Sequence, residues 1–310
     1  MADLSLKMMK NSARPVLCAL GAVLSWSTVA TAFKLSLECM SWFSLLSVAI
    51  PTAAVCLFLI VLIQRKMALL LRIPLRELGF NVAIGLLNPL IYYCALFVAY
   101  DKLPAQVAQP LNYTWPMWFI LLYAAIKRRK PSFPQVAGLV MSFLGVVVIS
   151  FCKPGGAVSL SGILVAMASA LLWAGYWMLG LRVRADRTVA LLLGFGVSSV
   201  VVVALRLFGG MGFSVPGMGY AVYVGLFEMA IPFVLWQYAL SAASNKYLIN
   251  QLSYLSPVLS LVIINFYLGE TLALTTILGA VLIIGGILVA NRMREEAPDS
   301  SASPGSSEPA

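Results

Sequence analysis

No histidine occurs in this 310-residue chain, and Asp and Glu together number only 11. Without histidine there is no proton relay through imidazole and no HExxH metalloprotease helix. Only one acidic side chain, Glu228, falls within a long apolar run. An intramembrane aspartyl mechanism needs a pair of carboxyl groups, so it has no material here. Charged residues make up 10% of the chain against 61% hydrophobic, at a mean hydropathy of +0.95. That is too little polar surface to cover a soluble globule. No GxxxxGK[ST] phosphate loop is present and the hydrophilic connectors are brief, which leaves no ATP-binding or soluble catalytic domain. No enzyme activity, cofactor or metal site is therefore expected. The cysteines Cys18, Cys39, Cys56, Cys94 and Cys152 have no CxxC spacing and lie mostly in apolar runs, as small packed hydrophobes do. Only Cys39 and Cys152 fall at the same expected outer face.

What the chain does have is apolar sequence in runs of about 20 residues, the length that crosses about 30 Å of hydrocarbon. Ten such runs cover 14–33, 42–64, 79–100, 103–126, 133–152, 160–181, 188–206, 216–241, 246–268 and 271–291. Continuous apolar runs are helical, whereas membrane barrel strands alternate with period two. The expected fold class is an all-α integral membrane protein of ten transmembrane helices. The first run is too long for a signal peptide, lacks a small-x-small exit and is needed to complete a repeat described next. With the N-terminus in the cytoplasm, 17 of the 21 Lys and Arg residues fall in cytoplasmic segments. The exceptions are Lys34, Lys102, Lys153 and Arg206. This bias places both termini in the cytoplasm. It also makes the net charge of +10 a topological signal, so the expected partner is the lipid bilayer and not nucleic acid.

A five-helix segment occurs twice. Asn112-Tyr113-Thr114-Trp115-Pro116 matches Ser253-Tyr254-Leu255-Ser256-Pro257 at an offset of 141, and the same offset pairs Gly138 with Gly279 and Gly145 with Gly286. Each copy holds an odd number of spans, so the second crosses the membrane in the opposite sense. Inverted repeats let two halves exchange which side is open. The expected division is a cytoplasmic segment 1–13, a first repeat 14–152, a linker 153–159, a second repeat 160–291 and a disordered tail 292–310.

Gln106, Gln109 and Tyr113 share one helical face, and the offset maps them onto Tyr247, Asn250 and Tyr254. In lipid such a stripe faces protein or water, so it is interhelical bonding, a cavity wall or both. Pro110, Pro116 and Pro257, with Pro89 and Pro232 at comparable places in the two halves, are hinge candidates. The glycines seven apart in the fifth and tenth spans indicate close backbone packing, as scaffold or dimer surface. Aromatic residues crowd the remaining spans. Trp26, Tyr92, Tyr93, Tyr113, Trp115, Trp173, Trp177 and Tyr254, with Gln109 and Asn250, form the candidate substrate cavity. Leu24-Ser25-Trp26 aligns with Leu171-Leu172-Trp173, one Trp from each half. Such rings stack on flat or apolar groups and attract ammonium ions; packing and an interfacial belt are the competing readings. Glu228 has no mid-membrane cation to neutralise it, which favours water exposure, with substrate-ammonium contact, proton coupling and a structural hydrogen bond as a neutral acid as candidate roles.

Leu24–Thr28 (Leu-Ser-Trp-Ser-Thr), Asn112–Pro116 and Leu268-Gly269-Glu270 resemble the drug/metabolite transporter superfamily, and within it the EamA-type bacterial exporters, most of all those of aromatic amino acids. The resemblance covers residues 14–291. It implies a ten-helix inner-membrane carrier with a central cavity between its halves, exporting amino acids and sometimes other compounds. By motif it makes Trp26, Tyr113, Trp115 and Trp173 cavity residues. The expected function is a secondary transporter of amino acids with aromatic or apolar side chains, working by alternating access. The alternatives are a multidrug or other metabolite exporter of the same superfamily, or a channel. A sugar-nucleotide carrier would require buried Lys or Arg, which the sequence places nowhere at membrane depth. The oligomeric state is left open; a monomer suffices for this path.

Overall fold

The computed structural model describes residues 2–128, 130–150, 159–209, 215–243, 249 and 252–291, apart from the side chains of 2–12, 149–150 and 291. In chain order the helices are α1 (Ala2–Cys39), α2 (Trp42–Ile63), α3 (Leu75–Lys102), α4 (Ala105–Asn112), α5 (Trp115–Lys127), α6 (Phe133–Ser150), α7 (Leu160–Gly180), α8 (Arg187–Phe208), α9 (Met218–Ala242), α10 (Leu255–Leu268) and α11 (Leu274–Asn291). A short helix, Met67–Leu71, lies between α2 and α3. Among the described residues there is no strand. Among the described residues six helices are long and apolar enough to cross a membrane: α1 from Ala13, α2, α3, α7, α8 and α9. The expectations for Cys152, residues 153–158, Tyr247, Asn250 and the tail from 292 lie outside the described residues.

The helices begin where a short polar side chain precedes an apolar run, because that side chain accepts the first unpaired N–H groups. Ser41 caps α2 through the Ser44 N–H at 3.2 Å, and Ser159 caps α7 through the Gly162 N–H at 3.3 Å. Asp186 caps α8 through Thr188 and Val189, and binds Lys66 of the α2–α3 connector at 2.8 Å. Partial burial pushes the Asp186 carboxyl up, but the Lys66 and backbone hydrogen bonds outweigh it and hold the group below the ordinary carboxylate value. The first helix runs further than expected, from Ala2 rather than residue 14.

Two helices depart from ideal geometry at a proline, and a third apolar run is interrupted. α3 is kinked within Leu86–Ile91, where Asn88 has an extended backbone (φ −138°, ψ 117°), and α9 contains a wide π turn, Gly225–Ala230. A proline has no N–H for the carbonyl four residues earlier. Pro89 thereby frees the Gly85 carbonyl, which accepts from Ser198 Oγ at 2.8 Å. Pro232 frees the Glu228 carbonyl, which accepts from Trp26 Nε1 at 3.4 Å. The fourth apolar run is broken at Tyr113-Thr114, so α4 and α5 are separate helices; a like turn at Ser253-Tyr254 precedes α10. Pro116 and Pro257 lie in the first turns of α5 and α10, where a missing N–H costs nothing.

The helices of the two halves pack against each other reciprocally. α1 packs on α9 and α10, while α7 packs on α3 and on the α4–α5 pair. α2 packs on α8 and α9, and α8 packs in turn on α3. The most extensive contact joins α6 to α11. A Cβ on Gly145 would stand 2.6 Å from the Gly279 carbonyl oxygen, and Gly138 and Gly286 approach each other just as closely. Small residues allow this approach, and Ser142 Oγ adds a bond to the Ile283 carbonyl at 3.2 Å.

Arg206, in the last turn of α8, is only 2% exposed and donates to Ser47 Oγ at 2.6 Å. The serines near the start of α2 give the guanidinium a polar face at that end of the helix array, the flank to which the sequence assigns it.

Candidate functional site

The kink of α3 and the π turn of α9 mark the centre of the candidate site. Gly85-Leu86-Leu87-Asn88 in α3 and Gly225-Leu226-Phe227-Glu228 in α9 match residue for residue at the glycine and leucine and place a polar side chain at the fourth position. Both polar residues are buried, Asn88 at 3% and Glu228 at 8% exposure. Glu228 Oε1 accepts from Tyr93 Oη at 3.1 Å, while Oε2 has no hydrogen-bond partner. The expectation of a water-exposed Glu228 is therefore corrected: α1, α2 and α3 close over it, and a tyrosine hydroxyl takes the place of water on one oxygen.

Around this centre the rings form a chain through five helices. Trp26 of α1 touches Trp236 (centroids 5.4 Å apart) and Phe233 (6.1 Å) of α9. Phe233 meets Trp173 of α7 edge-on at 5.6 Å, and Trp173 stacks on Tyr92 of α3 at 4.6 Å and on Tyr176 at 5.5 Å. Trp177, one turn on from Trp173, stacks at 6.5 Å on Trp115 of α5. Offset and edge-on pairs of this kind add about 0.5–1.5 kcal/mol each beyond the area they bury. Tyr92 and Tyr93 are fully packed, whereas Trp26, Tyr113, Trp115, Trp173 and Trp177 keep part of their surface open.

The structure thus brings Trp26, Tyr92, Tyr93, Trp115, Trp173, Trp177 and Glu228 into one region. Tyr92 Oη also donates to Asn112 Oδ1 at 3.3 Å, whose amide nitrogen donates to Ser169 Oγ at 3.0 Å. Tyr113 and Tyr254 stand at the two breaks before α5 and α10. Gln109 is buried and accepts from Tyr100 Oη. Phe233 was absent from the sequence-based set, although Ile231-Pro232-Phe233 aligns with Ile91-Tyr92-Tyr93 once the two glycines are matched.

A second polar group was also missed. At one end of the helix array, Glu270 accepts from the backbone N–H groups of Ala105 (3.0 Å) and Gln106 (3.1 Å), capping α4. Gln106 answers by donating to the Thr271 carbonyl at 3.1 Å and accepting from Thr276 Oγ1 at 3.1 Å. Gly269, at φ 65°, ends α10 in the left-handed conformation that turns Glu270 back toward α4. Beside this clamp is an open cavity of 470 Å³ whose lining includes Lys34, Asp101, Lys102 and Glu270. Among the described residues no cluster of three or more His, Cys, Asp or Glu side chains could hold a metal ion.

Comparison with known proteins fits this geometry. The model of a family described as the EamA-like transporter family matches twice, over residues 13–151 and 160–292. A protein named as an uncharacterized transporter of Archaeoglobus fulgidus is 26% identical over 280 residues, covering 87% of this chain and 95% of that one. The aromatic amino acid exporter YddG of Ancylobacter novellus is 28% identical, covering 64% of this chain and 71% of its own. A solved structure described only as that of a protein superposes with a TM-score of 0.65 at 24% identity, over 91% of this chain and 98% of that one. The last likeness concerns the fold alone.

Proposed function

The chain belongs to the EamA-like transporter family, and from that premise we propose that it exports amino acids with aromatic or apolar side chains by alternating access. As a member of a transporter family it is a multi-pass protein of the bacterial inner membrane and not an enzyme. The observation that carries the substrate class is the ring chain from Trp26 through Phe233 and Trp173 to Tyr92, which draws on both halves of the molecule. A path walled by those rings accepts a flat or apolar side chain and excludes a strongly hydrated one. One relative being named an aromatic amino acid exporter points the same way.

In this reading the chain crosses the membrane ten times as two inverted five-helix repeats, residues 14–152 and 160–291, with both termini cytoplasmic. The reciprocal packing of the halves supports it, because α1 on α9 and α7 on α3 are the same contact seen from opposite sides. Alternating access then needs one half to rock against the other about a central site. Trp26, Tyr92, Tyr93, Gln109, Tyr113, Trp115, Trp173, Trp177, Asn250 and Tyr254 line or support that site. The breaks before Trp115 and Leu255 and the turns at Pro89 and Pro232 are its hinges, with Pro110 bending α4.

Counterflow in liposomes tests the proposal. Purified protein is reconstituted with internal unlabelled phenylalanine, and entry of labelled phenylalanine is followed with Trp, Met, Thr and Glu as competitors. Saturable exchange blocked by Trp and Met and not by Glu is the expected result. Flux that is linear in concentration would instead indicate a channel, and absence of exchange for every amino acid would move the substrate to drugs or other metabolites.

A further inference from the structure

The cavity beside the Glu270 clamp lies at one end of the helix array, where α1, α3 and α10 finish and α4 and α11 begin. Its 470 Å³ falls within the range of about 300–1,000 Å³ that small-molecule sites occupy. Charges of both signs line it: Lys34 and Lys102 against Asp101 and Glu270. Two of the four, Lys34 and Glu270, are half-buried and are held by backbone rather than by each other. Lys34 Nζ donates to the carbonyls of Tyr100 (2.9 Å) and Leu103 (3.2 Å), and Glu270 accepts from the N–H groups of Ala105 and Gln106. The ion pair found among the described residues is Lys66 with Asp186, at the opposite end. Leu103 and Ala105 are two residues apart, so the anchor points of the fixed cation and the fixed anion are at most about 7 Å apart along the chain.

Neither group exhausts its bonding capacity on the backbone. An ammonium has three N–H bonds, of which the two carbonyls take two, and each carboxylate oxygen accepts more than the one bond it receives here. The anionic wall is also stiff. Gln106, fully buried, ties α4 to the α10–α11 connector through the Thr271 carbonyl, the Ala273 N–H and Thr276 Oγ1. The pair occurs at one end only. The register that aligns Trp26 with Trp173 sets Leu181 against Lys34, and the 141-residue offset sets Arg129 against Glu270. A feature demanded by the shared architecture of the repeat would recur in both copies, so this one points to a task performed at this end.

We propose that this cavity is a second binding site, separate from the ring chain, for the zwitterionic head group of α-amino acids. The carboxylate takes the third N–H of Lys34, with the exposed Lys102 beside it, and the ammonium takes Glu270, with the exposed Asp101 beside it. An α-amino acid carries its two charges on one carbon, which suits a cation and an anion fixed on neighbouring stretches of backbone. Charge-assisted bonds to groups already held in place lose little freedom when they form. The described lining holds no aromatic ring, so the site reads the head group and leaves the side chain unread. In the orientation proposed above this end is the outer mouth of the path, where an exported amino acid leaves. The inference rests on the transporter reading for that role and adds a site outside the ring-lined region.

The test is saturation-transfer difference NMR on the purified full-length protein in deuterated detergent, with L-alanine, propionate and ethylamine as probes. The three are alike in size; propionate lacks the amine and ethylamine lacks the carboxylate. L-alanine should give a saturable signal, and the other two none at the same concentrations. Lys34→Gln keeps a donor for the two carbonyls and Glu270→Gln keeps an acceptor for the N–H groups, but each loses the charge. Either change should raise the half-saturating concentration of L-alanine roughly tenfold or more. Lys34→Arg should restore most of the affinity, which separates loss of the site from loss of the fold. Propionate or ethylamine binding as tightly as L-alanine overturns the proposal. An alanine signal that falls in Trp173→Ala and not in Lys34→Gln does the same, because alanine then binds only among the rings. Displacement of L-alanine by O-phosphoethanolamine at a far lower concentration would give the cavity to a phospholipid head group and also overturn it. Saturable phenylalanine counterflow in a protein with no Lys34-dependent alanine signal would remove the outer site and leave the transporter standing. A Lys34-dependent signal in a protein that exchanges no amino acid would keep the site and remove the transport reading.

Discussion

Trp173 touches more of the ring chain than any other side chain named here, meeting Tyr92, Tyr176, Trp177 and Phe233. It is also partly open, so in the proposed cavity it would both organise the wall and present a face to the substrate. Trp173→Ala should raise the half-saturating concentration of phenylalanine in counterflow roughly tenfold, the equivalent of about 1–2 kcal/mol for a lost ring contact. Trp173→Phe should keep most of the affinity. An unchanged half-saturation in the alanine protein would make the residue packing alone. The two Trp residues were legible from the repeat, since Leu-Ser-Trp and Leu-Leu-Trp recur at matching places. The role of Phe233 was not, because its value comes from standing between Trp26 and Trp173, which are on different helices. Glu228 announced itself as the one acid in an apolar run, but its partner Tyr93 is 135 residues away. No local spacing could connect them, and the missing contact is why the sequence favoured water.

At the scale of helices, apolar run length located the six long apolar helices to within several residues, because hydrocarbon thickness fixes how many residues a helix must have. It could not show the kink of α3, the π turn of α9 or the break at Tyr113-Thr114. Hydropathy is blind to a carbonyl freed by proline, and only the partners Ser198 and Trp26 reveal where those carbonyls turn. The glycine pairs of α6 and α11 were visible as a spacing of seven, and the structure makes them each other's partners. Their contact is backbone on backbone, so it has no flexible side chain to yield. A leucine at Gly145 would begin with a Cβ 2.6 Å from the Gly279 carbonyl and 2.9 Å from the Ile283 nitrogen. Overpacking of this kind costs about 1–3 kcal/mol, so Gly145→Leu should lower the thermal unfolding temperature in detergent by several degrees. Gly175→Ala, with nothing within 4 Å of the added carbon, should be neutral or slightly stabilising. Equal unfolding temperatures for Gly145→Leu and the wild type would show that α6 and α11 are not held by this contact.

For the molecule as a whole, the proposed orientation rests on charge and the proposed inversion on the repeat, and the two can be tested together. A chain inserted with its 17 basic residues in the cytoplasm places the α5–α6 connector, with Lys127, Arg128, Arg129 and Lys130, on that side. Inversion of the second repeat then puts the start of α7 outside. Ser132 and Ser161 are both exposed and mark these two places. In a protein whose five native cysteines are replaced by serine or alanine, Ser161→Cys should react in intact cells with a maleimide that cannot cross the membrane. Ser132→Cys should react only after the cells are permeabilised. The opposite pattern would reverse the orientation and, with it, the direction in which a substrate is moved. Labelling of both residues from outside would break the odd-span count on which the inverted repeat depends, since α6 alone separates them in the chain. Protection of both until permeabilisation would do the same, because an odd number of crossings between Ser132 and Ser161 requires them to face opposite compartments.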